Sequence, residues 1–243
     1  MKTFPIYCLL LACLTGCVAP QMAADDGESE AAARMIRASE TTLAPVYVPL
    51  AEHLVQALEL ADAGGVGIDL GSGPGTLIVE LCQRTRMHWI NADLNPCFFP
   101  YFYRLATARG VAERVSAIRA DAQDLPFRGN YADVVVSRGC FHFWPDRAAG
   151  FREIYRVLKP GGVAYIGRGF PPNLPVAPAR TIRDKQRRHW QYDSAAAGRE
   201  LAAMLRGFGV QDIRVHTPQP EGSEGINYGV WIEFRKPAAG PVQ

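Results

Sequence analysis

Short apolar runs alternate with amphipathic segments along most of the chain, and this alternation predicts an α/β protein. The first apolar run that predicts a strand ends at Asp69. Four more occupy residues 87–92, 115–120, 132–137 and 163–167. A helix is predicted from Arg147 to Leu158, where Lys159-Pro160-Gly161-Gly162 ends it. Farther along, a helix at 195–205 precedes two more predicted strands at 210–217 and 226–235.

Three glycines at alternate positions, Gly71, Gly73 and Gly75, follow the first predicted strand. Alternate glycines let a strand turn sharply into a helix and leave backbone N–H groups exposed to a ligand with a polar or charged tail. Asp69, at the end of that strand, offers a counter-charge to a cation in the ligand. The glycine turn alone is a weak indication, because ordinary tight turns also contain glycine.

Carboxylates close the next two predicted strands as well. Asp93 ends the second strand about 20 residues beyond the glycine loop, where an acid can hydrogen-bond ribose hydroxyls. Asp121, followed by Ala122, ends the third strand, where a carboxylate can accept from an exocyclic adenine amine. One such acid alone would be read as a solvated loop carboxylate. Three of them in order beside one glycine loop indicate a binding site.

These motifs resemble those of the class I S-adenosylmethionine-dependent methyltransferases, in particular the small-molecule branch that includes the ubiquinone/menaquinone C-methyltransferases. The similar segments are 69–75, Asp93, Asp121-Ala122, 127–135 and 152–162. The resemblance implies a Rossmann-like α/β fold, with a seven-stranded sheet of order 3-2-1-4-5-7-6, an antiparallel last strand and helices on both faces. It also implies an enzyme that transfers a methyl group from S-adenosylmethionine to a small-molecule acceptor.

The resemblance further implies a role for each matching residue. The loop at 71–75 would bind the methionine moiety with Asp69 near its ammonium group, Asp93 would bind the ribose, and Asp121 would accept from the adenine amine. The predicted cofactor-binding residues are Asp69, Gly71, Ser72, Gly73, Gly75, Asp93, Leu94, Asp121, Ala122 and Ser137.

Substrate recognition is expected in the segment after the fourth strand, because ligands of open α/β sheets bind beyond the carboxyl ends of the strands. Arg138 and His142 are the predicted catalytic and substrate residues, with His142 as a general base if the acceptor is a phenol or an acidic carbon. Tyr47 and Trp144 are further predicted substrate contacts, although structural roles stay open for His142 and Trp144. Segments 43–58 and 170–175 are predicted to cover the site.

Other classes of protein remain as alternatives. The loop is G-x-G-x-G, with Thr76 where nicotinamide enzymes carry their last glycine, which argues against an oxidoreductase. Tyr155 and Lys159 have the spacing used by short-chain dehydrogenases, but Lys159 adjoins Pro160 at a helix end and is predicted to cap helix carbonyls. The second alternative is a cofactor-binding or degenerate, lipid-tethered module without catalysis.

The first 17 residues have the layout of a secretory signal, and Leu14-Thr15-Gly16-Cys17 resembles the bacterial lipobox. The resemblance implies a lipid on Cys17 and a membrane-anchored protein. Residues 18–34, small and acidic, are predicted to be a flexible tether, residues 35–237 the catalytic domain and residues 238–243 a disordered tail. Alternatively, translation starts at Met22 or Met35 and the enzyme is cytoplasmic, where S-adenosylmethionine is available.

Composition limits the classes of ligand and partner that are expected. With 26 basic and 24 acidic residues, the chain has no bulk attraction to nucleic acid, and none is expected as a partner. Outside the leader, Cys82, Cys97 and Cys140 fit no zinc pattern, so no metal is expected. A basic cluster at 180–188 is read as a solvated helix face or as a contact for an anion or lipid surface. A length of 243 residues suits one α/β core, and a monomer is expected.

Overall fold

The computed structural model describes residues 26–185 and 193–238, which form one α/β unit around a central sheet. Its elements in chain order are α1 (Asp26–Glu40), α2 (Ala44–Ala57), β1 (Val66–Leu70), α3 (Thr76–Cys82), β2 (His88–Asp93), α4 (Phe99–Ala108), β3 (Val115–Arg119), β4 (Ala132–Arg138), α5 (Arg147–Val157), β5 (Leu158–Gly169), α6 (Val176–Lys185), α7 (Ser194–Gly207), β6 (Asp212–His216) and β7 (Gly229–Arg235).

The seven strands form one sheet in the order β3-β2-β1-β4-β5-β7-β6. Strands β1 to β5 pair in parallel, whereas β7 runs antiparallel to both of its neighbours, β5 and β6. The predicted fold class, strand order and antiparallel last strand are confirmed. Since the strand order reverses between β1 and β4, a crevice is expected beyond their carboxyl ends.

Helices cover both faces of the sheet, because alternate residues of each strand point to opposite sides. One buried apolar cluster lies between the sheet and α2, α3, α4 and α6, and includes Leu50, Ile78 and Phe102. The other lies against α5 and α7, and includes Phe151 and Leu201. We call the side of the sheet that carries α2 the first face and the side that carries α5 the second face.

One close contact of the first face gives a test of the packing. A Cβ placed on Gly67 of β1 would lie 2.5 Å from Cε3 of Trp89, whose buried indole donates to Thr85 Oγ1 at 3.1 Å. We expect Gly67→Ala to lower the free energy of unfolding by about 1–3 kcal/mol, because the ring has no space to move into. Urea unfolding measures this, with Gly64→Ala as the control, since nothing lies within 4 Å of a Cβ there. Equal midpoints for the two variants would contradict the packing.

The N-terminal part of the described chain differs from the expected tether. Residues 26–34 form the first half of α1, where Glu30 and Arg34 make an i,i+4 ion pair at 2.9 Å and Ala32 is 2% exposed. The alanine-rich composition that suggested a tether also has high helix propensity, and packing of one face stabilises the helix.

Several predictions fall on residues outside the described ranges. These are the signal segment with Cys17, the tether up to residue 25, Arg187 and Arg188 of the basic cluster, and the tail from residue 239. Over the described ranges, every helix is too short or too polar to cross a bilayer. Arg180 and Arg183 of the basic cluster donate to the carbonyls of Gly222 and Gly225, at 3.5 and 2.8 Å, so they support the loop between β6 and β7.

The end of α5 also differs from the prediction. Strand β5 begins at Leu158, directly after the helix, because the backbone becomes extended there and Leu158 pairs with Ala132. Lys159 therefore turns away from the helix and pairs with Asp133 Oδ2 at 2.7 Å. The carbonyls of the last helical turn accept instead from Lys236 Nζ at 3.1 and 3.3 Å. The prediction that Lys159 caps the helix is wrong.

Candidate cofactor and substrate crevice

The glycine loop connects β1 to α3 at the point where the strand order reverses. Its three glycines have positive φ angles of 68°, 56° and 73° at Gly71, Gly73 and Gly75, a region that other residues rarely adopt. A Cβ on Gly71 would overlap the thiol of Cys140, and a Cβ on Gly75 would overlap the ring of Phe102. The loop thus needs glycine both for its backbone angles and for close packing against neighbouring side chains.

The N–H groups of the three glycines already have acceptors within the protein. Gly71 donates to the carbonyl of Ala92 at 2.7 Å, Gly73 to Asp93 Oδ2 at 2.7 Å, and Gly75 to the carbonyl of Ser72 at 3.1 Å. The expectation that backbone N–H groups of the loop are exposed for a ligand is therefore wrong for these three glycines. Because the loop follows the end of β1 so closely, these three N–H groups donate to acceptors in the neighbouring β2 and in the turn itself.

Asp93 ends β2 and is held in place by two backbone donors. Its Oδ2 accepts from Gly73 N at 2.7 Å and its Oδ1 from Asn95 N at 2.8 Å. Burial raises the pKa of this carboxyl group, and the backbone hydrogen bonds oppose that shift. A carboxylate offers about four lone-pair positions, so each oxygen retains one for a hydroxyl. The predicted ribose contact is chemically compatible with this geometry.

The residues predicted for adenine follow the neighbouring strands β2 and β3. Leu94 is 56% exposed, which provides an apolar surface beside Asp93 for a flat ring. Asp121 is exposed, and its Oδ1 accepts from the backbone and side-chain nitrogens of Gln123 at 2.9 and 3.2 Å. Ala122 is buried in the second-face cluster. Asp121 is thus engaged by its own loop through one oxygen.

Asp69 lies deeper in the crevice and is 3% exposed. Its Oδ2 accepts from Ser72 Oγ at 2.6 Å. Burial raises the pKa of Asp69 to about 7, a shift that the nearby Asp93 charge increases, whereas the Ser72 hydrogen bond and Arg138 oppose it. A cationic ligand group beside Asp69 would favour the ionised carboxylate.

Arg138, at the end of β4, lies on the same face as Asp69. Its Nε donates to the carbonyl of Gly169 at 3.3 Å. Desolvation lowers the pKa of Arg138, and the nearby Tyr47 and Asp69 raise it. A buried guanidinium usually has an acidic partner, but within residues 26–185 and 193–238 no carboxylate comes within 4 Å of Arg138. Tyr47 is buried in α2, and desolvation raises its pKa.

Helix α2, predicted to be part of a lid, is a fixed layer of the first-face core. Leu50 and Leu54 are buried there against α3. Tyr47, in the first turn of α2, lies near Arg138 and Asp69 of the crevice. The loop at 170–175 joins it at this point, because Asn173 Nδ2 donates to the carbonyl of Pro49 at 2.9 Å. The two segments predicted to cover the site therefore contact each other over the first face, and both are packed against the protein.

Other predicted contacts have mainly structural partners. Ser137 Oγ donates to the carbonyl of Leu70 at 2.6 Å and so joins β4 to β1. Trp144 is buried in the second-face cluster against Phe151 and donates to Cys140 Sγ at 3.0 Å. For these two side chains the structural alternative fits the geometry better than ligand contact does.

His142 lies in a short 3-10 helix, half-buried beside Phe143. Burial lowers the pKa of His142 to about 4, with further lowering by Arg168 and Arg147. The imidazole is therefore neutral at pH 7, but it is a weak base. This low pKa does not favour the predicted role of His142 as an efficient general base.

Helix α1 is the contribution to the site that the sequence analysis missed. Asn95 Nδ2 donates to the carbonyl of Glu28 at 2.8 Å, and Tyr101 OH donates to Glu40 Oε1 at 2.9 Å. Between these two contacts, Met35 Cγ comes within 3.9 Å of a Cβ built on Gly73. The helix therefore lies along the glycine loop. The sequence offered no clear sign of it, since these residues read as a tether.

A family profile described as a methyltransferase domain matches residues 68–166. The match runs from β1 into β5, so it includes the glycine loop, the crevice and Asp69, Asp93 and Asp121. Residues 68–166 therefore match the methyltransferase-domain family.

Two similar proteins are named for methylation of a hydroquinone and for ubiquinone/menaquinone biosynthesis. The 2-methyl-6-phytyl-1,4-hydroquinone methyltransferase of Spinacia oleracea is 45% identical over 120 residues, which are 47% of this chain and 34% of the relative. The ubiquinone/menaquinone biosynthesis C-methyltransferase of Vibrio cholerae is 33% identical over 97 residues, 39% of this chain and 37% of the relative. The chain thus spans about a third of the length of these curated relatives.

Similarity in structure extends over most of the chain. A candidate S-adenosyl-L-methionine-dependent methyltransferase from Methanococcus maripaludis has a TM-score of 0.76 and 26% identity, covering 90% of this chain and 98% of that chain. The predicted family and fold are confirmed, and S-adenosylmethionine is confirmed as the cofactor at the level of the family. The assignments of single residues stay predictions.

Proposed function

We propose that this protein transfers a methyl group from S-adenosylmethionine to a small-molecule acceptor. The observation that carries the proposal is the crevice itself, in which the glycine loop brings Asp69 and Asp93 together at the carboxyl ends of β1 and β2. Asp69 suits the ammonium group of the cofactor, Asp93 retains lone pairs for the ribose, and Leu94 offers an apolar surface to the adenine. The donor set therefore fits each part of this cofactor.

When bound, S-adenosylmethionine supplies a methyl group already activated by its sulfonium. The protein then has to place the acceptor in line with that methyl group and exclude water, which together can provide most of the acceleration. Helix α1 and the N-terminal half of α2 are placed to shield the crevice, through the contacts of Asn95 with Glu28 and of Asn173 with Pro49.

We propose an electron-rich aromatic acceptor of the hydroquinone class. The names of the relatives support this class, and so does Phe143, a large apolar side chain that is 75% exposed beside His142. The low pKa of His142 is consistent with an acceptor that needs little help from a base, since a hydroquinone ring is itself a good carbon nucleophile.

Calorimetric titration of the full-length protein with S-adenosylmethionine and with NAD tests which cofactor it binds. Mass spectrometry of prenylated hydroquinones, after incubation of the protein with them and with deuteromethyl-labelled S-adenosylmethionine, tests the proposed class of acceptor. We expect binding of S-adenosylmethionine alone and a labelled product. Binding of NAD would favour the oxidoreductase alternative, and cofactor binding without methylation of any acceptor would favour a non-catalytic module. Labelled product only from other acceptor classes would refute the hydroquinone assignment.

A further inference from the structure

The carboxylate of Asp69 and the guanidinium of Arg138 lie on neighbouring strands of the sheet. Strands β1 and β4 pair in parallel with Asp69 opposite Val136, so these two side chains point to the same face. Arg138 follows Val136 by two residues, which places it on that face about 7 Å farther along the strand. Both charges border the space between the glycine loop and Tyr47 of α2.

Neither charge has an ion-pair partner in the described part of the chain. Asp69 accepts from Ser72 Oγ at 2.6 Å, and Arg138 donates through Nε to the carbonyl of Gly169 at 3.3 Å. A guanidinium carries five N–H donors, so most of those of Arg138 remain for a ligand. Burial raises the pKa of Asp69 and lowers that of Arg138, so a ligand group of opposite charge beside either side chain would favour its charged form.

We propose that Asp69 and Arg138 together bind the amino-acid head group of S-adenosylmethionine, Asp69 through its ammonium group and Arg138 through its carboxylate. This assignment rests on the proposed function and departs from the sequence-based expectation that Arg138 faces the acceptor. A zwitterion supplies both missing counter-charges at once, and charge-assisted hydrogen bonds to a carboxylate are the strong ones that arginine forms with two nitrogens.

The glycine loop supports the same assignment by exclusion. In many nucleotide sites a loop of this kind binds an anionic group through its backbone amides. Here the amides of Gly71, Gly73 and Gly75 donate to acceptors within the protein. These three amides are therefore not available to a ligand carboxylate, whereas Arg138 lies on the same face as Asp69 and close enough to affect its pKa.

A truncated cofactor tests the assignment directly. Decarboxylated S-adenosylmethionine lacks only the carboxylate, so calorimetry with both ligands isolates that group. We expect the wild-type protein to bind intact S-adenosylmethionine about 10- to 100-fold more tightly than the decarboxylated form, because a charge-assisted pair is lost. Arg138→Met should bind both ligands with nearly equal affinity, while its affinity for the decarboxylated form stays at the wild-type value.

The matched control is Arg152→Met, because Arg152 is an exposed arginine of α5 that lies 3.9 Å from Asp146. It should keep the wild-type preference for the intact cofactor. If Arg138→Met is not folded by circular dichroism, Arg138→Lys replaces it and should show a reduced preference, since lysine cannot bind a carboxylate with two nitrogens.

Two results would overturn the proposal in different ways. An Arg138 variant that keeps the preference for the carboxylate but raises the KM of the acceptor would place Arg138 on the acceptor. A wild-type protein that binds both cofactors equally would show that no side chain recognises the carboxylate. Absence of any S-adenosylmethionine binding by the wild-type protein would instead contradict the proposed function itself.

Discussion

Asp93→Ala is expected to weaken S-adenosylmethionine binding by about 10- to 100-fold. Hydrogen bonds to a charged acceptor contribute about 1.5–3 kcal/mol, and the ribose hydroxyls would lose theirs. The substitution also removes the acceptor of Gly73 N, which is buried, and of Asn95 N. The loop would lose its fixed conformation at the point where α1 lies along it, so affinity falls for two reasons.

Calorimetry and thermal unfolding together check this prediction. The melting temperature of Asp93→Ala should fall, because an unpaired buried N–H costs about 1–3 kcal/mol. Asp93→Asn keeps an acceptor oxygen for Gly73 N and should restore much of the stability but little of the affinity. Asp184→Ala is the control, since Asp184 is an exposed residue of α6 paired with Arg183. An Asp93→Ala protein that is folded and binds with wild-type affinity would refute the ribose assignment.

The fold was largely predictable because its central strands, such as β1, β4 and β7, are buried on both faces and read as nearly continuous apolar runs. The acids at the strand ends were equally visible, and the structure brings Asp69 and Asp93 to one crevice. What local sequence does not contain is the choice of hydrogen-bond partner across the sheet. The N–H of Gly71 is satisfied by Ala92, which belongs to a strand about 20 residues away.

The other differences between the sequence-based predictions and the structure have a similar cause. After β4 the chain leaves the strand for a short 3-10 helix, so strand alternation no longer tells which side chains turn to the core. Trp144 was therefore as compatible with the crevice as with the second-face cluster, where it lies. Residues 26–34 are few and rich in alanine, and only their contacts with the loop after β2 distinguish a docked helix from a tether.

Asp69→Asn is expected to stabilise the free protein at neutral pH and at the same time to abolish tight cofactor binding. The pKa of Asp69 is raised from 3.8 to about 7 by burial, so the folded state binds more protons than the unfolded state between these values. The stability that Asp69 contributes is therefore fully present below about pH 4 and lost as the pH rises through about 7. Asparagine resembles the protonated form and can still accept from Ser72, so its contribution should not change with pH.

Two pH series measure the effect. The difference in melting temperature between Asp69→Asn and the wild-type protein should grow from pH 4.5 to pH 7.5 in favour of the variant. Cofactor affinity of the wild-type protein should rise from pH 5.5 to pH 7, by up to about tenfold per unit well below the pKa, because Asp69 must ionise to bind the ammonium group. The variant should bind weakly and show no such rise attributable to this carboxyl group. If the melting temperatures of the variant and the wild-type protein change in the same way with pH, and both bind the cofactor equally at pH 7, Asp69 is an ordinary buried acid that does not contact the cofactor. The proposed site for the amino-acid head group would then have no carboxylate for the ammonium group.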